Sequence, residues 1–125
     1  MAETPLKQAK DALAAKAQMI RDLEAEAKRK LHEEGDQEAY NRLLREKAQT
    51  IHSLLYEVQD DLEGLPEEVQ DKIESSLESM GIRASQALEV GSPFFMAMLL
   101  YPDDYTEGDE NELEQLITRT LGSTS

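Results

Sequence analysis

Cysteine and tryptophan are absent from this 125-residue chain, which has only two phenylalanines and four tyrosines. Without cysteine, disulfides, thiolate metal sites and cysteine nucleophiles are excluded. The first residues contain no apolar segment typical of a secretory signal, and no apolar run approaches the roughly 20 residues needed to cross a bilayer. We therefore expect a cytoplasmic protein without a membrane-spanning segment, and no motif points to a cofactor.

Basic residues are scarce in the last three-fifths of the chain. Residues 1–50 carry ten basic and ten acidic side chains, whereas residues 51–125 carry three basic and seventeen acidic ones. The whole net charge of −14 therefore arises in the second part. Such a charge repels phosphate backbones and anionic lipids but attracts basic proteins. We expect a protein partner with a basic surface, and neither direct nucleic-acid binding nor membrane binding.

Glycine and proline are few, six and four respectively, and most of them stand between long stretches of good helix formers. Within those stretches, apolar residues recur at three- and four-residue steps, which predicts amphipathic helices. The predicted fold is a single all-α domain. A long antiparallel helical hairpin over 5–63 and a third helix over 66–90 form a bundle. Two short C-terminal helices over 93–101 and 109–121 cap it, and 122–125 is predicted to be a disordered tail.

Local signals set these boundaries. Gly35 and Asp36 are suited to end one helix and cap the next, so the first two helices must run antiparallel. Gly81 lies inside the third helix, but the apolar stripe keeps its phase across it, which predicts one continuous helix. A close helix crossing there would offset the roughly 1 kcal/mol that an interior glycine costs. Asp109 and Glu112 resemble a capping box at the start of the last helix.

Eight consecutive apolar residues, Phe94 to Tyr101, lie between two prolines. On a helix they divide into two sides: Phe94, Ala97, Met98 and Tyr101 on one, and Phe95, Met96, Leu99 and Leu100 on the other. A helix that is apolar all round must be covered on most sides. One interpretation is a buried plug that closes the bundle. The other is that one side remains open as a docking surface for a partner or a second copy of the chain.

On the docking interpretation, aromatic and methionine side chains provide an adaptable contact. We expect the following residues to contact the partner: Tyr56, Phe94, Phe95, Met98, Leu99 and Tyr101. The predicted hairpin is longer than two short helices can cover, so part of its apolar stripe is also free to meet another chain. That length motivates the hypothesis of a homodimer.

The acidic segment 103–114 is a candidate for a weak divalent-cation site. Its spacing partly matches the EF-hand loop, with Asp103, Glu107, Asp109 and Glu114 as the predicted ligands. However, Tyr105 stands at the third position, where an oxygen ligand is needed. A solvated acidic linker between two helices explains the segment better.

We do not expect the basic triplet at 28–30 to form a basic patch. Spacings of four residues, such as Glu24 to Lys28 and Lys30 to Glu34, predict ion pairs along a solvated helix face. Helical zinc ligands, phosphate loops, dinucleotide fingerprints and nucleophile elbows are all missing from the sequence.

The sequence thus predicts a non-enzymatic interaction protein, such as an adaptor, a regulator or a secretion-type chaperone. An alternative is an acidic mimic of nucleic acid that occupies a basic protein. An enzyme that uses carboxylate pairs is a third hypothesis, because the many acidic residues offer such pairs without marking one.

Overall fold

The computed structural model describes residues 4–122, and within them the chain forms six α-helices and no β-strand. The helices are α1 (Pro5–Glu34), α2 (Gln37–His52), α3 (Leu54–Leu62), α4 (Glu67–Val90), α5 (Pro93–Met98) and α6 (Glu112–Leu121). The predicted all-α class is therefore confirmed. Apart from Gly122, the predicted tail lies outside the described residues.

Helices α1 and α2 form the predicted antiparallel hairpin. The side chain of Thr4 accepts a hydrogen bond from the main-chain nitrogen of Lys7 at 3.1 Å, which caps the start of α1. Gly35 ends α1 in the left-handed conformation, with φ of 64°, a region that glycine enters without steric cost. Asp36 then caps α2 by accepting from the nitrogen of Ala39 at 3.0 Å. The two-residue turn leaves the helices packed side by side.

The remaining helices complete a bundle around one core. Helix α1 packs against α2, α3 and α6, and α4 packs against α2, α3 and α6 on the other side. Helix α5 packs against α2 and α4. Buried apolar residues from all six helices form the core, among them Leu13, Ile20, Ile51, Val58, Leu77, Met96 and Leu113. The predicted third helix corresponds to α4 and the two short C-terminal helices to α5 and α6, although their bounds differ from the predicted ones. No helix in the described range is both long and apolar enough to span a bilayer.

The predicted second arm of the hairpin is interrupted at Ser53, where α2 ends and α3 begins. The hydroxyl of Thr50 donates to the carbonyl of Glu46 at 2.8 Å, and the hydroxyl of Ser53 donates to the carbonyl of Thr50 at 3.3 Å. Hydroxyls that bond carbonyls of the preceding turn compete with the helical hydrogen bonds and bend helices. The apolar stripe continues across this break, which is why its spacing does not indicate one.

Helix α4 runs without a break through Gly81, which confirms the predicted continuous helix, although it starts at Glu67 rather than at 66. A β-carbon at Gly81 would lie 3.3 Å from the main-chain oxygen of His52 and 3.8 Å from that of Ile51. The missing side chain therefore lets α4 cross the end of α2 at close range.

Helix α5 ends at Met98, three residues earlier than predicted. In a longer helix, the carbonyl of Ala97 would accept a hydrogen bond from the nitrogen of Tyr101. That carbonyl instead accepts from the Lys47 ammonium at 2.9 Å, and the nitrogen of Tyr101 donates to Met98 at 3.0 Å. Leu100 has φ of 74°, which is rare for a bulky residue. The chain therefore turns away from the helix axis after Met98.

Helix α6 starts at Glu112 instead of the predicted 109. Its capping box is formed by Asn111 and Glu114, and not by Asp109 with Glu112: Asn111 accepts from the nitrogen of Glu114, and Glu114 accepts from that of Asn111, each at 2.9 Å. The main-chain oxygen of Asp109 is held by Arg21 at 3.1 Å. Residue 109 thus lies outside the helix, which begins three residues after it.

Candidate protein-binding surface

Helix α5 and the residues after it have a buried side and an exposed side. The side chains of Met96, Leu99 and Leu100 are buried in the core, whereas those of Phe94, Phe95 and Met98 are 67%, 51% and 41% exposed. We call these last three residues the exposed face of α5. One side of the apolar run thus packs into the core, and the other side is exposed to solvent. Leu99 and Leu100 share the side of Met96, as predicted, but Phe95 is exposed with Phe94 and Met98 and not buried with Met96.

The exposed face of α5 presents two aromatic rings next to each other. The ring centroids of Phe94 and Phe95 are 5.8 Å apart, and the rings are inclined by 61°, an edge-to-face arrangement. Val90, the last residue of α4, is also exposed. Large apolar side chains that remain together in water are typical of contact surfaces for other macromolecules.

A buried lysine of α2 binds the main chain of α5 on its core side. Lys47 lies in α2 and is completely buried. Its ammonium is 2.7 Å from a carboxylate oxygen of Glu24, 2.9 Å from the carbonyl oxygen of Ala97 and 4.9 Å from the centroid of the Tyr101 ring. Burial lowers the pKa of Lys47, although the charge of Glu24 acts in the opposite direction. A buried charge is tolerated only with such compensation.

The contacts of Lys47 continue into a larger group of charges. The hydroxyl of Tyr101 donates to Glu24 at 2.6 Å and accepts from Arg21 at 3.1 Å. Arg21 also donates to both carboxylate oxygens of Glu114, at 2.6 and 3.1 Å. We call Arg21, Glu24, Lys47, Tyr101 and Glu114 the anchor cluster. Its two cations and two carboxylates balance, and it joins α1, α2 and α6 to Tyr101, which lies three residues after the end of α5.

The anchor cluster has a structural role, because its charged groups are paired with one another. Burial raises the pKa of Tyr101, and the hydrogen bond with Glu24 raises it further, so the phenol keeps its proton even at a pH where an exposed tyrosine ionises. Each carboxylate is already bound by a cation. The cluster therefore fixes the position of α5, and its groups are engaged with one another.

Two of the predicted contact residues do not belong to the exposed surface. Leu99 is a core residue with 9% exposure, because the turn after Met98 directs it inwards. Tyr101 is part of the anchor cluster, and its hydroxyl already has partners. Tyr56 is exposed, as the docking interpretation requires, but it lies on α3, at a groove that it shares with Ile82.

Sequence reasoning missed the anchor cluster. The spacing of Glu24 predicts a pair with Lys28, but the structure pairs Glu24 with Lys47, which is 23 residues away. One signal was available: Lys47 falls between Leu44 and Ile51 at helical spacing, so it takes a position in the apolar stripe of α2.

The acidic segment does not assemble the predicted metal ligands. Glu114 is held by Arg21 and by the nitrogen of Asn111. Asp103, Glu107 and Asp109 have exposed side chains in the segment that precedes α6. Among residues 4–122, no three His, Cys, Asp or Glu side chains are grouped in a way that could hold a metal ion.

The carboxylate of Glu114 makes stability depend on pH. Burial acts to raise its pKa, but hydrogen bonds from Arg21 and from the nitrogen of Asn111 outweigh it, so the net pKa lies below the ordinary value. Such a group stabilises the fold above its unfolded pKa of about 4.3, and that stabilisation is lost as the pH falls through the folded pKa. We expect Glu114→Gln to lower the free energy of unfolding by about 1 kcal/mol at pH 7 and by much less at pH 3.

The measurement is urea unfolding of both proteins at several pH values between 7 and 3. Glu107→Gln is the matched control, because Glu107 is exposed in the same segment. Its difference from the unmodified chain should stay near zero throughout. A Glu114→Gln difference as large at pH 3 as at pH 7 would contradict the assignment.

The anchor cluster, whose charges neutralise one another, thus holds the exposed face of α5 in place. It lies in the part of the chain, residues 51–125, that carries the whole net charge of −14. Comparison of the chain with protein-family models, with curated proteins and with solved structures gives no significant match.

Proposed function

We propose that this chain is a non-enzymatic protein–protein interaction module, and that the exposed face of α5 contacts a partner with a basic surface. The observation that carries the proposal is the division of α5: one side is fixed in the core, and the other exposes Phe94, Phe95 and Met98. Two aromatic rings and a methionine offer a large apolar area that adapts to its partner. An adaptor, a regulator or a secretion-type chaperone would use such a surface.

The charge of the chain supports the choice of partner. The net charge of −14 in residues 51–125 attracts a basic protein from a distance and accelerates encounter, while apolar contacts supply most of the short-range affinity. A second copy of the chain is the alternative occupant. Because it carries the same negative charge, a homodimer at this surface would become stronger when salt is added.

The test is a capture experiment with two matched variants. In the first, Phe94→Ser and Phe95→Ser are combined; in the second, Met19→Ser changes an exposed methionine on α1. The immobilised chain and the Met19→Ser variant should retain the same protein from an extract of the source cells. The double variant should retain at least about tenfold less of it, as loss of central aromatic contacts implies.

Equal capture by all three proteins would contradict the proposal. Capture that is abolished by 1 M salt but unaffected by the double variant would favour the acidic mimic of nucleic acid, because that function depends on carboxylates alone. Light scattering of the purified chain at low and high salt distinguishes the homodimer.

A further inference from the structure

A second apolar surface lies where α4 crosses the junction of α2 and α3. It is a groove of about 460 Å³ whose lining includes His52, Leu55, Tyr56, Leu77, Gly81 and Ile82. Leu77 is buried in the core, whereas Tyr56 and Ile82 are 84% and 53% exposed. An apolar base is therefore flanked by two large apolar side chains that have most of their surface in water.

The shape of this groove is set by the backbone. Gly81 has no side chain to fill the space beside His52, and α4 crosses there at close range. The opposite wall comes from both sides of the α2–α3 break: His52 ends α2, and Leu55 and Tyr56 belong to α3. The close crossing at Gly81 and the break between α2 and α3 are parts of the folded backbone. The groove is therefore present before a partner binds, which lowers the entropic cost of binding.

The helices on either side of the groove carry most of the uncompensated negative charge. Residues 54–90, which form α3, α4 and their link, contain ten acidic and two basic side chains, a net charge of −8. By contrast, α1 contains seven basic and six acidic side chains, and α2 contains three and two. Among the helices α1 to α4, the net negative charge therefore lies on α3 and α4 and not on α1 and α2.

Most of these carboxylates are exposed and have no counter-charge. The seven exposed acidic residues without an ion pair within 4.0 Å, judged over residues 4–122, are Asp60, Glu63, Glu67, Glu68, Asp71, Glu78 and Glu89. One of the two basic residues, Arg83, is already bound to Glu112 at 2.6 Å. A partner with several cations would find its counter-charges here.

We propose that this groove binds an amphipathic helix of a partner protein. The apolar side chains of the partner helix enter between Tyr56 and Ile82, and the lysine or arginine side chains of that helix face the carboxylates of α3 and α4. The groove-lining part of α4, residues 77–86, is about 15 Å long at 1.5 Å per residue. That length accommodates apolar residues at positions i, i+4 and i+7 of a helix, the spacing used by helices that bind in grooves. The inference rests on the proposed function for the basic character of the partner, but it uses a different surface.

The probe is a synthetic 18-residue peptide of leucine and lysine with all leucines on one helical face. A matched peptide with glutamate in place of each lysine is the charge control. Binding to the full chain is measured by fluorescence anisotropy at physiological salt. We expect the leucine–lysine peptide to bind and the control peptide not to bind.

Two variants locate the site. Combining Tyr56→Ser with Ile82→Ser should weaken binding of the leucine–lysine peptide by at least about tenfold. Combining Phe94→Ser with Phe95→Ser should change it by less than about twofold, since additivity holds for separate surfaces. All four residues are exposed, and circular dichroism with thermal melting verifies that both variants stay folded.

Three results would overturn the inference. If the Phe94–Phe95 variant weakens binding and the Tyr56–Ile82 variant does not, the groove is not the site, while the proposed function stands. If neither variant weakens binding, the carboxylates retain the peptide without the groove. If the control peptide binds equally well, or the leucine–lysine peptide fails to bind, the groove does not select a basic amphipathic helix, while the proposed function is decided by the capture experiment.

Discussion

Replacing Glu24 by glutamine should lower the free energy of unfolding by about 3 kcal/mol or more, because it leaves the ammonium of Lys47 buried without a counter-charge. Glu24 is the carboxylate that lies 2.7 Å from that ammonium. Glutamine keeps the size of the side chain, so the loss reports the charge and not a cavity. Urea unfolding at neutral pH, followed by circular dichroism, measures it.

Two further variants give this prediction its controls. Glu26→Gln removes a carboxylate from the same helix, but Glu26 pairs with Arg29 at the surface, so unfolding should change little. Adding Lys47→Met to Glu24→Gln removes the unpaired charge and should restore much of the lost stability. A Glu24→Gln variant as stable as the unmodified chain would mean that Lys47 finds water or another carboxylate, contrary to the enclosed position described above.

Replacing Met96 by alanine should lower the free energy of unfolding by about 2–5 kcal/mol, the range for a buried methionine truncated in a core. Met98→Ala is the matched control, since it changes the same residue type two positions along the same helix. Met96 is 2% exposed and Met98 is 41% exposed. We expect Met98→Ala to change the free energy of unfolding by less than about 1 kcal/mol.

The pair of methionine variants tests which side of α5 faces the core. Denaturant unfolding of the two proteins, side by side, is sufficient. Equal losses would show that both methionines are covered in solution, for example by a second copy of the chain. A larger loss for Met98→Ala than for Met96→Ala would mean that the helix is rotated relative to its position in this structure.

The features that the sequence predicts well are those encoded by neighbouring residues. Gly35 and Asp36 specify a turn by their own conformational and capping preferences, so the α1–α2 hairpin follows from the sequence. The continuity of α4 through Gly81 follows from a stripe whose phase can be followed across the glycine. The break at Ser53 does not, because serine and threonine hydroxyls bend some helices and merely face water in others.

The candidate surface was predictable only in part, because its position depends on contacts between distant residues. Composition alone indicates that the apolar run Phe94 to Tyr101 must be covered, either by the core or by another molecule. Which of its side chains are exposed depends on where α5 ends, and the carbonyl of Ala97 is bound by Lys47, 50 residues earlier in the chain. The spacing of charges within α1 favours a local partner for Glu24, and no pattern within one helix indicates a partner in another.

The buried ammonium of Lys47 also has a consequence for chemical reactivity. The chain contains seven lysines, and Lys47 is the one whose amine is enclosed beneath α5. Acylating reagents reach an amine only when it is in contact with solvent, so modification of Lys47 requires that α5 and the turn after it lift from α2. The rate of that modification, relative to the rates of the other six lysines, therefore reports how often this part of the molecule opens without global unfolding.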